Sequence, residues 1–286
     1  MHSNGAMNGA AMNGAVLPPA TAEAYRLAMN VLKDAGLPFL VGGAYAFACF
    51  TGISRHTKDF DLFVRPDDLD RVMEAFEAAG FETQLTYPHW LAKAFLGAHM
   101  IDVIFRSGNG VAEVDAAWFE RAEQREVLGV SVPVCPPEEI IWSKAFIMER
   151  ERYDGADVAH LLRGCNGRID WAHLIARFGP HWRVLFSHLV LFGFIYPEER
   201  NQVPAEVMQT LCARLHEEAA LPAPAEHVCQ GTLLSREQYL KDVADWGYED
   251  ARLYPRGNMS AVEIAHWTNA IGSKDDPREG TEEAGQ

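Results

Sequence analysis

Two periodicities of apolar residues run along the chain, and the point where one gives way to the other divides it. From Ala20 to Ala35, apolar Ala24, Leu27, Ala28, Val31 and Leu32 recur at helical spacing, and Gly36 follows as a stop. PFLVGG reads as a short buried strand running into Gly42-Gly43, AYAFACF as a small-residue helix ended by Gly52, and DFDLFV as a second strand. In PDDLDRVMEAFEAAG, Pro66 opens a helix, acids fill the first turn where the helix dipole favours them, and Gly80 caps the end. Strands are predicted at FETQLTY, HMIDVIFR and REVLGVSVPV, with a short helix over Val114–Arg121. From Pro136-Pro137 onward the pattern is helical. Its predicted helices are EEIIWSKAFIMERER, GADVAHLLRGC, DWAHLIARF, PHWRVLFSHLVLFGF and VPAEVMQTLCARLHEEA. After the linker-like LPAPAEH come REQYLKDVADWGY and SAVEIAHWTNAIG.

This organisation predicts an α/β (α+β) protein, with a mixed-sheet domain over residues 20–135 and a mainly helical C-terminal region over 136–272. The thrice-repeated N-G-A before Pro18-Pro19 reads as a disordered lead-in over 1–19, and GSKDDPREGTEEAGQ as a disordered acidic tail, taken as 273–286. A hydrophobic content of 48% is enough to bury a sizeable core. The longest apolar run, Val184–Tyr196, has the length of a core helix and carries His188, so no membrane association is expected. The N-terminus has no basic region followed by an apolar core, which argues against a secretion signal. Cys49, Cys135, Cys165, Cys212 and Cys229 are scattered without a C-x-x-C pair, which fits a reducing cytoplasm.

Charge narrows the partners. The net charge is −15, with 12 Lys and Arg against 19 Asp and Glu in residues 1–150 and 13 against 21 in the rest. A polyanion would meet repulsion over most of such a surface, so nucleic acid is disfavoured and small or cationic substrates are favoured.

Against this background GISRHTKDFDLFV is anomalous. Asp59 and Asp61 share one face of a strand while Phe60 and Leu62 share the other. Like charges so placed are costly unless something neutralises them. A third acid, Asp102, lies inside the apolar HMIDVIF. If the two strands are neighbours, three hard oxygen ligands converge, as Mg²⁺ requires, and two such ions would clamp the attacking and leaving oxygens of a phosphoryl displacement. Taken alone, Asp102 could equally pair with Arg106 or cap a neighbouring turn. Gly42-Gly43 stands at a strand-to-helix junction, where free backbone N–H groups can hold a phosphate, or where a tight turn is needed. Together, cradle and carboxylates would hold a nucleoside triphosphate by its phosphates and its metal.

GGAYAFACFTGISRHTKDFDLFV resembles the signature of the DNA polymerase β-like nucleotidyltransferase superfamily. It looks most like the bacterial branch with aminoglycoside and lincosamide nucleotidyltransferases and abortive-infection-type nucleotidyltransferase toxins. The matching positions are Gly42, Gly43, Gly52, Arg55, Thr57, Asp59, Asp61 and Leu62, with Asp102 as the third acid. Lys144, Arg150 or Arg152, Asp154 and Asp157 match a second landmark, and the resemblance spans about residues 38–163. Ala44 departs from it where many members have serine.

The resemblance implies a polymerase β-like catalytic domain that moves a nucleoside monophosphate from an NTP to a hydroxyl. Asp59, Asp61 and Asp102 would be catalytic and would ligate Mg²⁺, two ions in all. Gly42, Gly43, Arg55 and Lys144 would bind the nucleotide. Arg55 could instead orient the Asp59 loop, and Asp154 and Asp157 could brace the helical region. The expected acceptor is a hydroxyl-bearing small molecule. A tRNA or protein acceptor with an antitoxin-like partner, and a non-catalytic nucleotide-binding module, are the alternatives.

Overall fold

Alternation of apolar and polar residues in DFDLF makes a strand with one face for a core, and a sheet grows around it. A computed structural model describes residues 17–55 and 57–271. The expected lead-in, apart from its last three residues, and the acidic tail lie outside the described residues. The chain divides into a first unit running through Pro136 and a second over Pro137–Ile271.

The first unit runs α1 (Pro19–Asp34), β1 (Leu40–Val41), α2 (Gly43–Thr51), β2 (Asp59–Phe63), α3 (Leu69–Ala78), β3 (Glu82–Tyr87), β4 (Leu91–Leu96), β5 (His99–Ile104), α4 (Ala116–Glu120), β6 (Glu123–Val127) and β7 (Val130–Val134). Its seven-stranded sheet has the order β3-β4-β5-β2-β1-β7-β6. The sheet is mixed: β2 lies parallel to β5 and antiparallel to β1, and β1 lies parallel to β7. Phe60 and Leu62 are fully buried, and Tyr25 of α1 stacks on the Phe60 ring at 4.7 Å while Tyr45 of α2 meets its edge at 5.1 Å. Burying a side chain of this kind stabilises the fold by roughly 2–3 kcal/mol. It also anchors the backbone of the two flanking aspartates.

Two expectations about the sheet are corrected. REVLGVSVPV is a hairpin, not one strand, because Leu128 and Gly129 both take positive φ (51° and 81°) and reverse the chain between β6 and β7. That is the backbone a two-residue hairpin turn demands. The strand β4 was not anticipated at all. Its sequence, LAKAFL, has composition that favours helix and shows no alternation, yet it pairs with β3 on one side and β5 on the other.

The second unit contains α5 (Pro137–Ala145), α6 (Gly155–Gly164), α7 (Trp171–Phe178), α8 (Trp182–Ile195), α9 (Ala205–Ala219), β8 (Val228–Cys229), α10 (Leu240–Ala244), β9 (Glu249–Asp250) and α11 (Ala261–Asn269). Helix α5 stops at Ala145, well short of the expected run through Arg152, because Met148 bridges back to Tyr153 and turns the chain. The fully buried Glu139 ties α5 to α7, its Oε1 lying 2.7 Å from His173 Nε2 and accepting from Arg177 Nε at 3.0 Å. Two arginines of the C-terminal segment, Arg236 and Arg252, are buried, whereas Arg256 is exposed. Arg252, fully buried, forks onto the Asp250 carboxylate, and Arg236 lies 4.3 Å from the centre of the Trp267 ring. No helix among the described residues is long and apolar enough to cross a membrane.

Candidate active site

Register decides the geometry. The parallel pairing of β2 with β5 sets Asp61 directly beside Asp102, and Asp59 beside Met100, all on the sheet face opposite Phe60 and Leu62. Asp59, Asp61 and Asp102 each bring a carboxylate oxygen to within 4.8 Å of the others. The expected convergence of three acids is therefore present. Asp59 and Asp61 are half-buried, and Asp102 is 9% exposed.

Each acid has a different neighbour. The Thr57 hydroxyl donates to the Asp59 carboxylate, which fixes the loop entering β2. Asp61 faces Gly43: a Cβ on Gly43 would lie 1.6 Å from Asp61 Oδ2. Gly43 also has φ of +50°, so glycine is required there twice over. Gly42 is tight for another reason, since a Cβ on it would lie 2.2 Å from the Phe63 ring, and its N–H donates to the Asp61 carbonyl at 2.9 Å. The double glycine thus lets the start of α2 close onto the strand that carries the acids.

Asp102 is not paired with Arg106, which bonds Glu113 instead. Its neighbour is Lys93 of β4, directly opposite in register, with Nζ 3.2 Å from Oδ1. That oxygen is buried and makes no directed hydrogen bond among the described residues, so the contact is one of charge. Burial pushes the Asp102 carboxyl up to about 6, the Lys93 ammonium pulls it back, and the Asp59 charge adds to the rise. Tyr25 is pushed up to about 12, by burial first and then by the charges of Asp59, Asp61 and Asp102. Lys93 was missed from the sequence. Its signal was a lone cation inside the apolar WLAKAFLG.

The remaining candidates divide between the units. The Arg55 guanidinium lies over the Phe47 ring of α2, 4.5 Å from its centre. In the second unit, Lys144 Nζ stands 2.8 Å from both Asp154 and Asp157, and Arg152 donates to Asp154 through two nitrogens at 3.0 Å. These cations hold the Asp154 carboxyl well below the usual range although burial opposes them. Asp154 precedes α6 but makes no cap bond with its side chain; it braces α5 to the loop before α6.

Three clustered carboxylates behind a double-glycine turn are a donor set for a divalent cation and its phosphates. Residues 21–181 match the family model described as uncharacterised nucleotidyltransferase. The chain belongs to this nucleotidyltransferase family. It is therefore an enzyme, and the polymerase β-like resemblance of its signature agrees with the family match. No curated protein matches the chain.

Solved structures give weaker likenesses. The solution structure of the antibiotic-resistance factor ANT(2'')-Ia is 16% identical over 60% of this chain and 98% of that one, with a TM-score of 0.44. Lincomycin-bound LnuA, a lincosamide antibiotic adenylyltransferase, is 10% identical over 51% and 96%, with a TM-score of 0.36. JHP933 from Helicobacter pylori is 13% identical over 71% and 96%, with a TM-score of 0.33. The assignment rests on the family match.

Proposed function

We propose that this nucleotidyltransferase moves a nucleoside monophosphate from an NTP to the hydroxyl of a small-molecule acceptor, with Mg²⁺ bound by Asp59, Asp61 and Asp102 and with release of pyrophosphate. The observation that carries the reading is the in-register pairing of Asp61 with Asp102, which brings three carboxylates together with Asp59. The set fits a hard divalent cation, with carboxylate oxygens of all three residues within 4.8 Å of one another. Asp59, Asp61 and Asp102 would hold the Mg²⁺, two ions in all, which would supply neutralisation of phosphate charge and activation of the attacking hydroxyl.

The residues of the chain would do the rest by positioning. Gly43 would offer a backbone N–H group at the start of α2 to the triphosphate, while the Gly42 N–H stays on the Asp61 carbonyl and holds the turn against the acid-bearing strand. Asp61 sits between that turn and Asp102, and Asp102 would take the proton of the acceptor hydroxyl. Arg55 would reach a phosphate by leaving the Phe47 ring. Cytoplasmic location and a non-nucleic-acid acceptor are part of the same reading, and the charge of −15 supports the second.

The test is product formation: each α-³²P-labelled NTP is incubated with Mg²⁺, protein and a panel of hydroxyl-bearing small molecules, with bulk tRNA and protein in parallel. Labelled small-molecule product together with pyrophosphate supports the proposal. Label appearing on tRNA or protein instead would replace the acceptor class, and release of inorganic phosphate without pyrophosphate would overturn the reaction type.

A further inference from the structure

Lys93 has no part in the chemistry described so far, yet it occupies the site. Asp61, Asp102 and Lys93 form one cross-strand row, each directly opposite the next on β2, β5 and β4. The Lys93 side chain is only 18% exposed, its ammonium 3.2 Å from Asp102 Oδ1 and 3.1 Å from the Met100 sulfur, which stands opposite Asp59. The ammonium therefore lies on the carboxylate face, within one strand spacing of the place where a cation held by Asp61 and Asp102 would sit.

A lysine so placed sets an ammonium against the three carboxylates. It reduces the charge that three carboxylates present from −3 to −2, and at this range it repels a divalent cation directly. Mg²⁺ gives up its waters reluctantly and is held best by one or two carboxylates together with substrate phosphates. A triphosphate would restore the missing negative charge on the side away from Lys93. We propose that Lys93 is a built-in counter-cation of the metal site, which keeps affinity for a bare divalent cation low and makes metal loading depend on the nucleotide that carries it. The inference rests on the metal-dependent reading of the three carboxylates.

The experiment measures Mn²⁺ binding through the electron-spin resonance of the free ion. It compares wild type, Lys93→Gln, Lys93→Met and Lys93→Arg, alone and with an equimolar mixture of the four α,β-methylene nucleoside triphosphates. Wild type should bind bare Mn²⁺ weakly and bind it far better with the analogues. Lys93→Gln and Lys93→Met should bind the bare ion about tenfold more tightly, with a smaller gain from the analogues, and Lys93→Arg should behave as wild type. Unchanged or weaker binding of the bare ion by either folded neutral variant, or Lys93→Arg matching them, would overturn the inference alone. Absence of Mn²⁺ binding by wild type even with the analogues would overturn the metal-site reading and this inference with it.

Discussion

Replacing Gly43 with alanine perturbs the proposed site while leaving all three carboxylates in the sequence. Two costs can be worked from the structure. A non-glycine residue at φ of +50° is strained by about 1 kcal/mol. The new Cβ, 1.6 Å from Asp61 Oδ2, cannot coexist with that carboxylate, which must leave its rotamer at a further cost of about 1 kcal/mol. Together they predict a loss of about 2 kcal/mol, or a fall in melting temperature of roughly 4–8 °C for a protein of this size. Displacing Asp61 should also remove Mg²⁺-dependent nucleotide binding. Adding Asp61→Ala to Gly43→Ala should relieve the collision but not the φ strain, leaving a coupling of about 1 kcal/mol in a double-mutant cycle followed by thermal unfolding. A Gly43→Ala protein with the melting temperature and metal-dependent binding of wild type would refute the reasoning.

Other outcomes follow from the same contacts. Asp154→Ala removes the carboxylate that Lys144 and Arg152 share, but Lys144 keeps Asp157 and Arg152 is partly solvated, so it should cost about 1–2 kcal/mol in denaturant unfolding, whereas Lys144→Met with Asp154→Leu together should cost less than the two single changes combined. His188 is buried against the Ala145 carbonyl and its pKa is lowered by burial, so the unfolded chain binds the proton more readily than the folded one. Stability should therefore fall as pH drops below about 6.5, and a His188→Gln variant should flatten that part of a melting-temperature profile. Gly42→Ala should destabilise by crowding the Phe63 ring, and Phe63→Leu should recover part of the loss.

The acids were legible in the sequence because an aspartate pair two residues apart in an apolar run has few cheap explanations. Asp102 was legible for the same reason, and only the strand register was needed to bring it to Asp61. Lys93 was not, since the composition of β4 favours helix and only β3 and β5, by supplying hydrogen-bonding partners on both sides, make it a strand. The hairpin between β6 and β7 was hidden because Leu128 takes a positive φ that the composition of REVLGVSVPV does not announce. In the sequence the glycine pair stands equally for a phosphate cradle or for a tight turn with close packing. The structure shows close packing, of Asp61 on Gly43 and of Phe63 on Gly42, whose partners depend on tertiary contacts. Whether Asp102 met Arg106 or another cation likewise turned on register, since Glu113 claims the arginine.

The most direct test of the central claim is calorimetric titration of each NTP into the protein with and without Mg²⁺, comparing wild type with Asp59→Ala/Asp61→Ala. The account predicts binding of at least one NTP that requires Mg²⁺ and is lost in the folded double variant. Equal binding with and without Mg²⁺, or binding that survives loss of both aspartates, would contradict it.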